Sequence, residues 1–207
     1  MTKRIFTAIL AVAALLLPYS ADAAKSSAAQ VVSAVSKAIT GAPSVDARFT
    51  LRQQGRQPVS GSACIQGQKF TLTLPEMRVW FDGKTQWTYS KEAGEVNVTE
   101  PSAEELAETN PLSIITSSAK GCKARRLDAA NGTDRVELTP PPGSSFSKAV
   151  VTSDASTNFI REISVTMNDG SKAAITFDSM KKGLAKPEAF FRFDKKLIPS
   201  ARIVDLR

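Results

Sequence analysis

Apolar and polar residues alternate with a period of two along most of the chain after residue 44. Side chains of a strand point alternately to the two faces of a sheet, so this pattern predicts strands with one apolar and one polar face. In the first such run, Phe49 and Leu51 alternate with Arg48, Thr50 and Arg52. The apolar positions predicted to share one face are Phe49, Leu51, Phe70, Leu72, Leu74, Val79, Phe81, Trp87, Tyr89, Leu138, Ile163, Val165, Ile175 and Phe177.

The turns between these runs predict how the strands are joined. Asn168-Asp169-Gly170 lies between two alternating runs and predicts a tight hairpin. Further turns are predicted at Gly55, Asp82-Gly83 and Asn131-Gly132. Roughly ten to twelve short strands at this spacing indicate an antiparallel sheet and not a parallel sheet crossed by helices.

Two segments have helical patterns. Ala28, Val32, Val35 and Ile39 recur at helical spacing between Ser27 and Thr40, which predicts a short amphipathic helix before the first strand.

The second helical segment interrupts the strands for about 20 residues. Ser102 and Glu105 form a capping box, and Asn110-Pro111 restarts a helix. Its apolar positions are Leu106, Leu112 and Ile115. Such an insertion is either a plug that covers one end of the sheet or a lid, and the need to cover every apolar sheet face favours the plug.

The first 23 residues have the features of a signal peptide. Lys3 and Arg4 precede an apolar run of about 13 residues, which is shorter than the roughly 20 that a membrane span needs. Ala21-Asp22-Ala23 is a small-x-small cleavage pattern. We therefore expect residues 1–23 to be removed and residues 24–207 to form one exported, soluble domain.

The residue inventory excludes several classes of chemistry. The 207-residue chain contains no histidine, so Ser-His-Asp and Cys-His catalysis and His-ligated metals are ruled out. It also lacks a P-loop, a GxSxG and a CxxC motif. We predict no enzymatic activity, no metal site and no cofactor.

The chain carries a formal net charge of +7, and its basic residues are spread out. This distribution favours an anionic partner surface over nucleic acid, and we predict no nucleic-acid partner. The pairs Lys181-Lys182 and Lys195-Lys196 are interpreted as solubilising residues in turns.

The chain has two cysteines, Cys64 and Cys122. Two cysteines in one small exported domain usually pair, and the spacing is not that of a redox or zinc motif. We therefore predict a structural disulfide between them.

The amount of apolar surface on the strands is the most informative feature. A sheet of this size has one continuous apolar face, and the two short helices look too small to cover it. The face is either an ordinary core or the wall of a lipid-binding cavity, and periodicity alone leaves both possibilities open.

The string Phe81-Asp82-Gly83-Lys84-Thr85-Gln86-Trp87-Thr88-Tyr89 resembles the DGKT-x-W-x-Y signature of the outer-membrane lipoprotein carrier proteins, the LolA-like family. Further segments similar to that family follow in its order. They are Ala47–Thr50, Gly67–Phe70, Glu95-Val96, Glu100-Pro101, Asn110–Leu112, Val136–Pro140, Phe191–Phe193 as a closing strand, and Ile203–Arg207 in the manner of a Bacteroidetes-type branch.

The resemblance implies a mainly β fold, an incomplete, half-open antiparallel barrel of about 11 strands with short helices as its lid or plug. It implies a monomeric periplasmic carrier that binds lipoprotein acyl chains on the apolar positions given above. The implied partners are acylated lipoproteins, an inner-membrane ABC-type release complex and an outer-membrane acceptor. On this basis Leu106, Leu112 and Ile115 belong to a lid.

Two alternatives keep the same fold but change the role: a carrier of another amphiphile, such as a glycolipid or lipid precursor, or a lipid-sensing regulatory protein.

One position departs from the family pattern. The family often has Arg directly after the Phe of its second strand, where it is thought to tie the lid shut, and this chain has Thr71. A Cys64–Cys122 disulfide would tether the end of the lid segment to a strand.

Overall fold

The computed structural model describes residues 26–102, 105–106, 121–144 and 146–207. The predicted signal peptide, Leu112 and Ile115 lie outside these residues. The helix α1 spans Ala28–Thr40. The strands are β1 (Ser44–Gln53), β2 (Val59–Gln66), β3 (Lys69–Thr73), β4 (Met77–Phe81), β5 (Gln86–Ser90), β6 (Glu95–Thr99), β7 (Lys123–Leu127), β8 (Thr133–Thr139), β9 (Phe146–Asp154), β10 (Ile160–Met167), β11 (Lys172–Gly183) and β12 (Arg202–Asp205).

These twelve strands form one sheet in the order β12-β6-β5-β4-β3-β2-β1-β11-β10-β9-β8-β7. Two meanders, β1–β6 and β7–β11, are joined by the pairing of β1 with β11. β12 and β7 are the two edges, so the sheet is not closed into a barrel. The prediction of a mainly β, open antiparallel fold is confirmed. The pairing of β12 with β6 differs from the predicted antiparallel arrangement, because these two strands run parallel.

The helix α1 begins with the hydrogen bonds that its sequence predicts. Ser27 Oγ accepts from the Gln30 amide while the Gln30 side chain accepts from the Ser27 amide. Val31, Val35 and Ile39 are buried one turn apart and pack on the sheet near β7 and β8. The sheet face on which α1 packs is called the helix face below.

The opposite face carries the C-terminal strap, defined as residues 184–201 between β11 and β12. The strap crosses β2, β3 and β4: Gln66 and Lys186 exchange two hydrogen bonds, Lys69 pairs with Glu188, and Arg192 Nε lies 2.9 Å from the Asp82 carboxylate. This side of the sheet is called the strap face.

Asp82 anchors the middle of the strap and is largely shielded from solvent. Burial alone would raise the pKa of its carboxyl, but amide hydrogen bonds from Thr85 and Lys84 and the charge of Arg192 lower that pKa overall. Asp82 is therefore ionised at neutral pH and holds Arg192 by charge.

Among the described residues, no helix is long and apolar enough to cross a membrane.

Candidate functional site

The helix face brings together most of the apolar residues that the sequence predicted to share one face. Strand register places them side by side: Phe49 is opposite Phe177, Leu72 is opposite Val79, and Ile163 is opposite Ile175. The predicted residues found on this face are Phe49, Leu51, Phe70, Leu72, Leu74, Val79, Phe81, Leu138, Ile163, Val165, Ile175 and Phe177.

The centre of the helix face is tightly packed. The Phe49 and Phe177 rings lie 6.2 Å apart and the Phe70 and Phe81 rings 5.4 Å apart, both tilted. Gly61 makes room for this packing, since a Cβ there would lie 2.6 Å from Phe49 Cζ and 2.7 Å from Leu74 Cδ2. Leu72 is only 6% exposed. This part of the face is a dry core in the structure.

One end of the helix face is less completely covered. The hairpins that join β1 to β2, β3 to β4 and β10 to β11 lie at the same end of the sheet, called the β1–β2 end. Leu51, Leu74, Met77, Val165 and Ile175 are half-buried towards it. At the other end of β1, β3 and β4, Val45, Phe70 and Phe81 are 4% exposed or less. The β1–β2 end is therefore the less completely covered end of the helix face.

The helix face turns polar beyond β4. Register carries the row Leu72–Val79 on to Thr88 and Asn97, and the row Phe70–Phe81 on to Gln86 and Thr99. These four side chains, Gln86, Thr88, Asn97 and Thr99, form what we call the polar strip. It lies beside the apolar part of the face, so the helix face is itself amphipathic.

Trp87 and Tyr89 are not on this face, contrary to the prediction. Register sets Trp87 opposite Trp80 and Tyr89 opposite Arg78, which lie on the strap face. The strap covers a second apolar cluster there: Phe193 packs edge-on against Trp80 at 5.4 Å, and Phe191 is fully buried. Val96 and Val98 on β6 are also buried on that side. β4 is therefore buried on both faces, and the apolar side of β5 and β6 is the strap face.

The cysteines lie on different sides of the sheet. Cys64 is opposite Asp46 and Thr71 on the strap face, whereas Cys122 packs against the helix-face cluster. Both lie within the described residues and no disulfide joins them there, so the predicted bridge is not formed in the structure. Burial raises the pKa of the Cys64 thiol to about 12, and the adjacent Asp46 carboxylate contributes to this rise. Cys64 is therefore a neutral, inert thiol at physiological pH.

The lid segment is described at its two ends. The predicted capping box is confirmed, since Ser102 N donates to Glu105 Oε2 at 2.7 Å and Glu105 N donates to Ser102 Oγ. Leu106 and Cys122 both pack against the helix-face cluster. Leu106 follows β6, the neighbour of the edge strand β12, and Cys122 precedes β7, the other edge strand. Thr71 lies on the strap face, opposite Trp80.

These features define a class of protein: an open β-sheet with one broad apolar face and a helix packed on that face. The sequence profile described as "Outer membrane lipoprotein carrier protein LolA" matches residues 19–136, more than half of the chain. The chain belongs to this family. No curated protein matches it significantly in sequence.

The solved structures to which the chain is similar are distant in sequence. An uncharacterized conserved protein from Thermus thermophilus is 12% identical with a TM-score of 0.59, over 86% of this chain and 98% of its own. A LolA superfamily protein from Nitrosomonas europaea is 10% identical with a TM-score of 0.44, over 82% and 99%. MucB in the Pseudomonas aeruginosa MucA/MucB complex is 11% identical with a TM-score of 0.45, over 82% and 62%.

Proposed function

We propose that the chain is a periplasmic carrier that holds the acyl chains of lipoproteins against its helix face and ferries them from the inner to the outer membrane. The observation that supports this most directly is the gradient along that face, from a dry centre to half-buried Leu51, Leu74 and Ile175 at the β1–β2 end. Family membership agrees with the proposal.

The physical task of such a carrier is to keep hydrocarbon out of water. An acyl chain that leaves a membrane costs roughly 0.8 kcal/mol for each CH₂ exposed to water, so a sixteen-carbon chain needs a continuous apolar surface. The helix face provides that surface along neighbouring strands. Cargo would displace the cover of the face, including the lid residue Leu106, and extend its hydrocarbon towards the half-buried β1–β2 end. No covalent bond changes, so the carrier needs no catalytic residue.

The proposal includes how the carrier is exported and whom it meets. We infer that residues 1–23 are removed on export and that residues 24–207 act as a monomeric single domain in the periplasm. An inner-membrane ABC-type complex would release cargo to it, and an outer-membrane acceptor would receive that cargo. Mass spectrometry of lipids that co-purify from the native periplasm identifies the cargo and separates lipoproteins from other amphiphiles.

A substitution at the less completely covered β1–β2 end tests binding with little risk to the fold. Leu51 is half-buried, so in Leu51→Glu the carboxylate keeps contact with water and the protein should stay folded. A charge on the path of the chain should weaken binding of a fluorescent fatty-acid probe by about tenfold or more, because it must be desolvated when the probe binds. The measurement is a probe titration beside a thermal melt.

Thr73→Glu is the matched control, because Thr73 lies on the strap face opposite Ser62 and Arg78. It should change neither probe affinity nor melting temperature appreciably. A folded Leu51→Glu protein with wild-type affinity would show that acyl chains do not occupy this end.

A further inference from the structure

Gln86 has an unusual environment within the polar strip. Its side chain is only 7% exposed and lies on the helix face directly opposite Phe81. Its Nε2 donates to Thr88 Oγ1 at 3.2 Å, and its Oε1 has no hydrogen-bond partner. Among the buried side-chain nitrogen and oxygen atoms of the described residues, Gln86 Oε1 is the one that lacks a hydrogen-bond partner.

An unpaired buried carbonyl destabilises the protein that contains it, because it loses its hydrogen bonds to water. Nothing in the sheet requires an amide at this position, since its neighbour Phe81 is apolar and the backbone makes the β5 ladder with any side chain. The Thr88 hydroxyl accepts from Gln86 and still has its own proton to donate. The pair therefore presents one acceptor and one donor side by side, at the border of the apolar surface.

We propose that the polar strip binds the amide group that joins an acyl chain to its head group. The amide N–H would donate to Gln86 Oε1, and the amide carbonyl would accept from the Thr88 hydroxyl. The hydrocarbon would then start beside Val79 and Phe81, the adjacent apolar positions of the same rows, and run along the helix face towards the β1–β2 end. This inference rests on the proposed carrier function and adds the chemical class of the cargo, an N-acylated amphiphile.

The test compares two fluorescent probes with the same acyl chain, one linked through an amide and one through an ester, which lacks the N–H donor. Wild-type protein should bind the amide probe about tenfold more tightly, as expected for one buried hydrogen bond. Gln86→Leu should bind both probes with the affinity that the wild type has for the ester, and it should melt no lower than wild type. Gln68→Leu, the same change in an exposed turn, should keep the preference.

The outcomes separate the two proposals. If wild type binds neither probe, the carrier function itself is wrong. If wild type binds both probes equally, or if Gln86→Leu loses affinity for both to the same extent, acyl chains bind but the polar strip does not recognise an amide.

An independent observation concerns the outer surface of the strap and β12. The large apolar side chains that are most exposed among the described residues all lie in this part of the chain. They are Leu184 (85% exposed), Phe190 (42%), Leu197 (56%), Ile203 (46%) and Leu206 (61%). The strap itself is fixed, because Phe191 is buried beneath it and Arg192 is bound to Asp82. Its outward side chains are therefore held on an ordered support.

The end of the chain, from the last residues of β11 onward, is strongly basic. Residues 181–207 contain eight Lys or Arg and three Asp or Glu, a net charge of +5 out of +7 for the whole chain. Lys181 and Lys182 lie in β11 and not in a turn; Lys181 is opposite Asp46 on the strap face, whereas Lys182 is opposite Val45 on the helix face and does not belong to this surface. Lys195 and Lys196 follow Asp194 in a short 3-10 helix. None of these four lysines makes an ion pair with a described residue.

We infer that this surface docks on an anionic lipid bilayer. Exposed Leu and Phe side chains between unpaired lysines are suited to the membrane interface, where the apolar groups enter the head-group region and the lysines meet lipid phosphates. The strap lies on the face away from the proposed cargo surface, so docking would leave the helix face accessible.

Vesicle co-sedimentation tests the inference with the mature protein. It should bind vesicles containing 30% phosphatidylglycerol but not pure phosphatidylcholine, and high salt should weaken binding. One lysine near an anionic surface strengthens binding about fivefold, so Lys195→Gln with Lys196→Gln should weaken it about 25-fold. The control Lys123→Gln with Lys172→Gln removes the same charge from exposed positions elsewhere and should retain most binding.

Equal weakening by both pairs of substitutions would show that only net charge matters and would overturn the docking surface. Absence of vesicle binding would also overturn it. If in addition the protein dimerises in sedimentation velocity and Leu184→Ser with Leu197→Ser abolishes the dimer, the surface binds a second copy of the chain instead.

Discussion

Leu72→Glu is expected to unfold much of the population at neutral pH. Leu72 is 6% exposed and lies in the helix-face cluster between Phe70 and Leu74, with Val79 directly opposite. The substitution removes apolar packing and buries a carboxylate, which together should lower the free energy of unfolding by about 4 kcal/mol. Urea denaturation followed by circular dichroism measures this loss.

The pH dependence of that loss identifies its cause. Burial would raise the pKa of the introduced carboxyl in the folded state above its value in the unfolded chain. The folded protein then binds more protons than the unfolded one between these two pKa values, so stability falls as the pH rises through this range. The deficit of Leu72→Glu relative to wild type should therefore be smaller at pH 4 than at pH 7.

A stable Leu72→Glu protein would contradict the dry core described above and would indicate a water-filled cavity at this position. Loss of acyl-probe binding by such a folded variant would then support a cavity wall at Leu72. The strap-face variant Thr73→Glu, next to it in sequence, is expected to unfold at nearly the wild-type urea concentration.

Phe191→Ala is expected to detach the strap. Phe191 has no exposed surface, and its loss should lower the free energy of unfolding by about 3–5 kcal/mol. Without it, the packing of Phe193 on Trp80 should loosen and Trp80 should gain exposure to water. The expected signals are a red shift in tryptophan fluorescence and faster proteolysis within residues 184–201.

Phe190→Ala is the matched control for the strap. Phe190 is the preceding residue, is 42% exposed and contacts the Phe191 ring at 5.3 Å. Its loss should lower the free energy of unfolding by about 1 kcal/mol or less and leave the fluorescence unchanged. Similar effects of the two substitutions would show that the strap is not held by burial of Phe191.

The sequence was sufficient for those elements in which local pattern and burial agree. The helix α1, the hairpin turn at Gly170 and the capping box at Ser102 follow from spacing and turn chemistry alone. The alternating strands could also be predicted, because a strand with one apolar and one polar face shows a clear alternation of residue types in the sequence.

The positions of Trp87 and Tyr89 could not be predicted because the apolar side of the strands changes at β4, which is buried on both faces. Where both faces are apolar, the period of two no longer shows which residues share a side. The run Val79-Trp80-Phe81 is the signal for this, since three consecutive apolar residues indicate a strand buried on two sides. The disulfide prediction failed for a related reason: only register reveals that Cys64 faces away from Ala63 and Ile65.

The closing strand was placed too early by the family resemblance. Phe191–Phe193 lies at the end of a 3-10 helix, Glu188–Phe191, that follows Pro187, and the last strand is Arg202–Asp205. The contacts that place the strap are long-range: Arg192 meets Asp82, 110 positions earlier. No local pattern encodes such a pairing.

The open edges described above carry a hazard that a closed barrel does not have. Unpaired strand edges invite the edge strands of other molecules, which leads to fibres and aggregates. At one edge, β7 reads Lys-Ala-Arg-Arg-Leu, and its first three side chains are exposed to solvent. At the other edge, the four-residue β12 ends in exposed Asp205. The charged side chains of β7 and the short length of β12 thus disfavour pairing with other molecules, so the sheet can remain open without forming polymers.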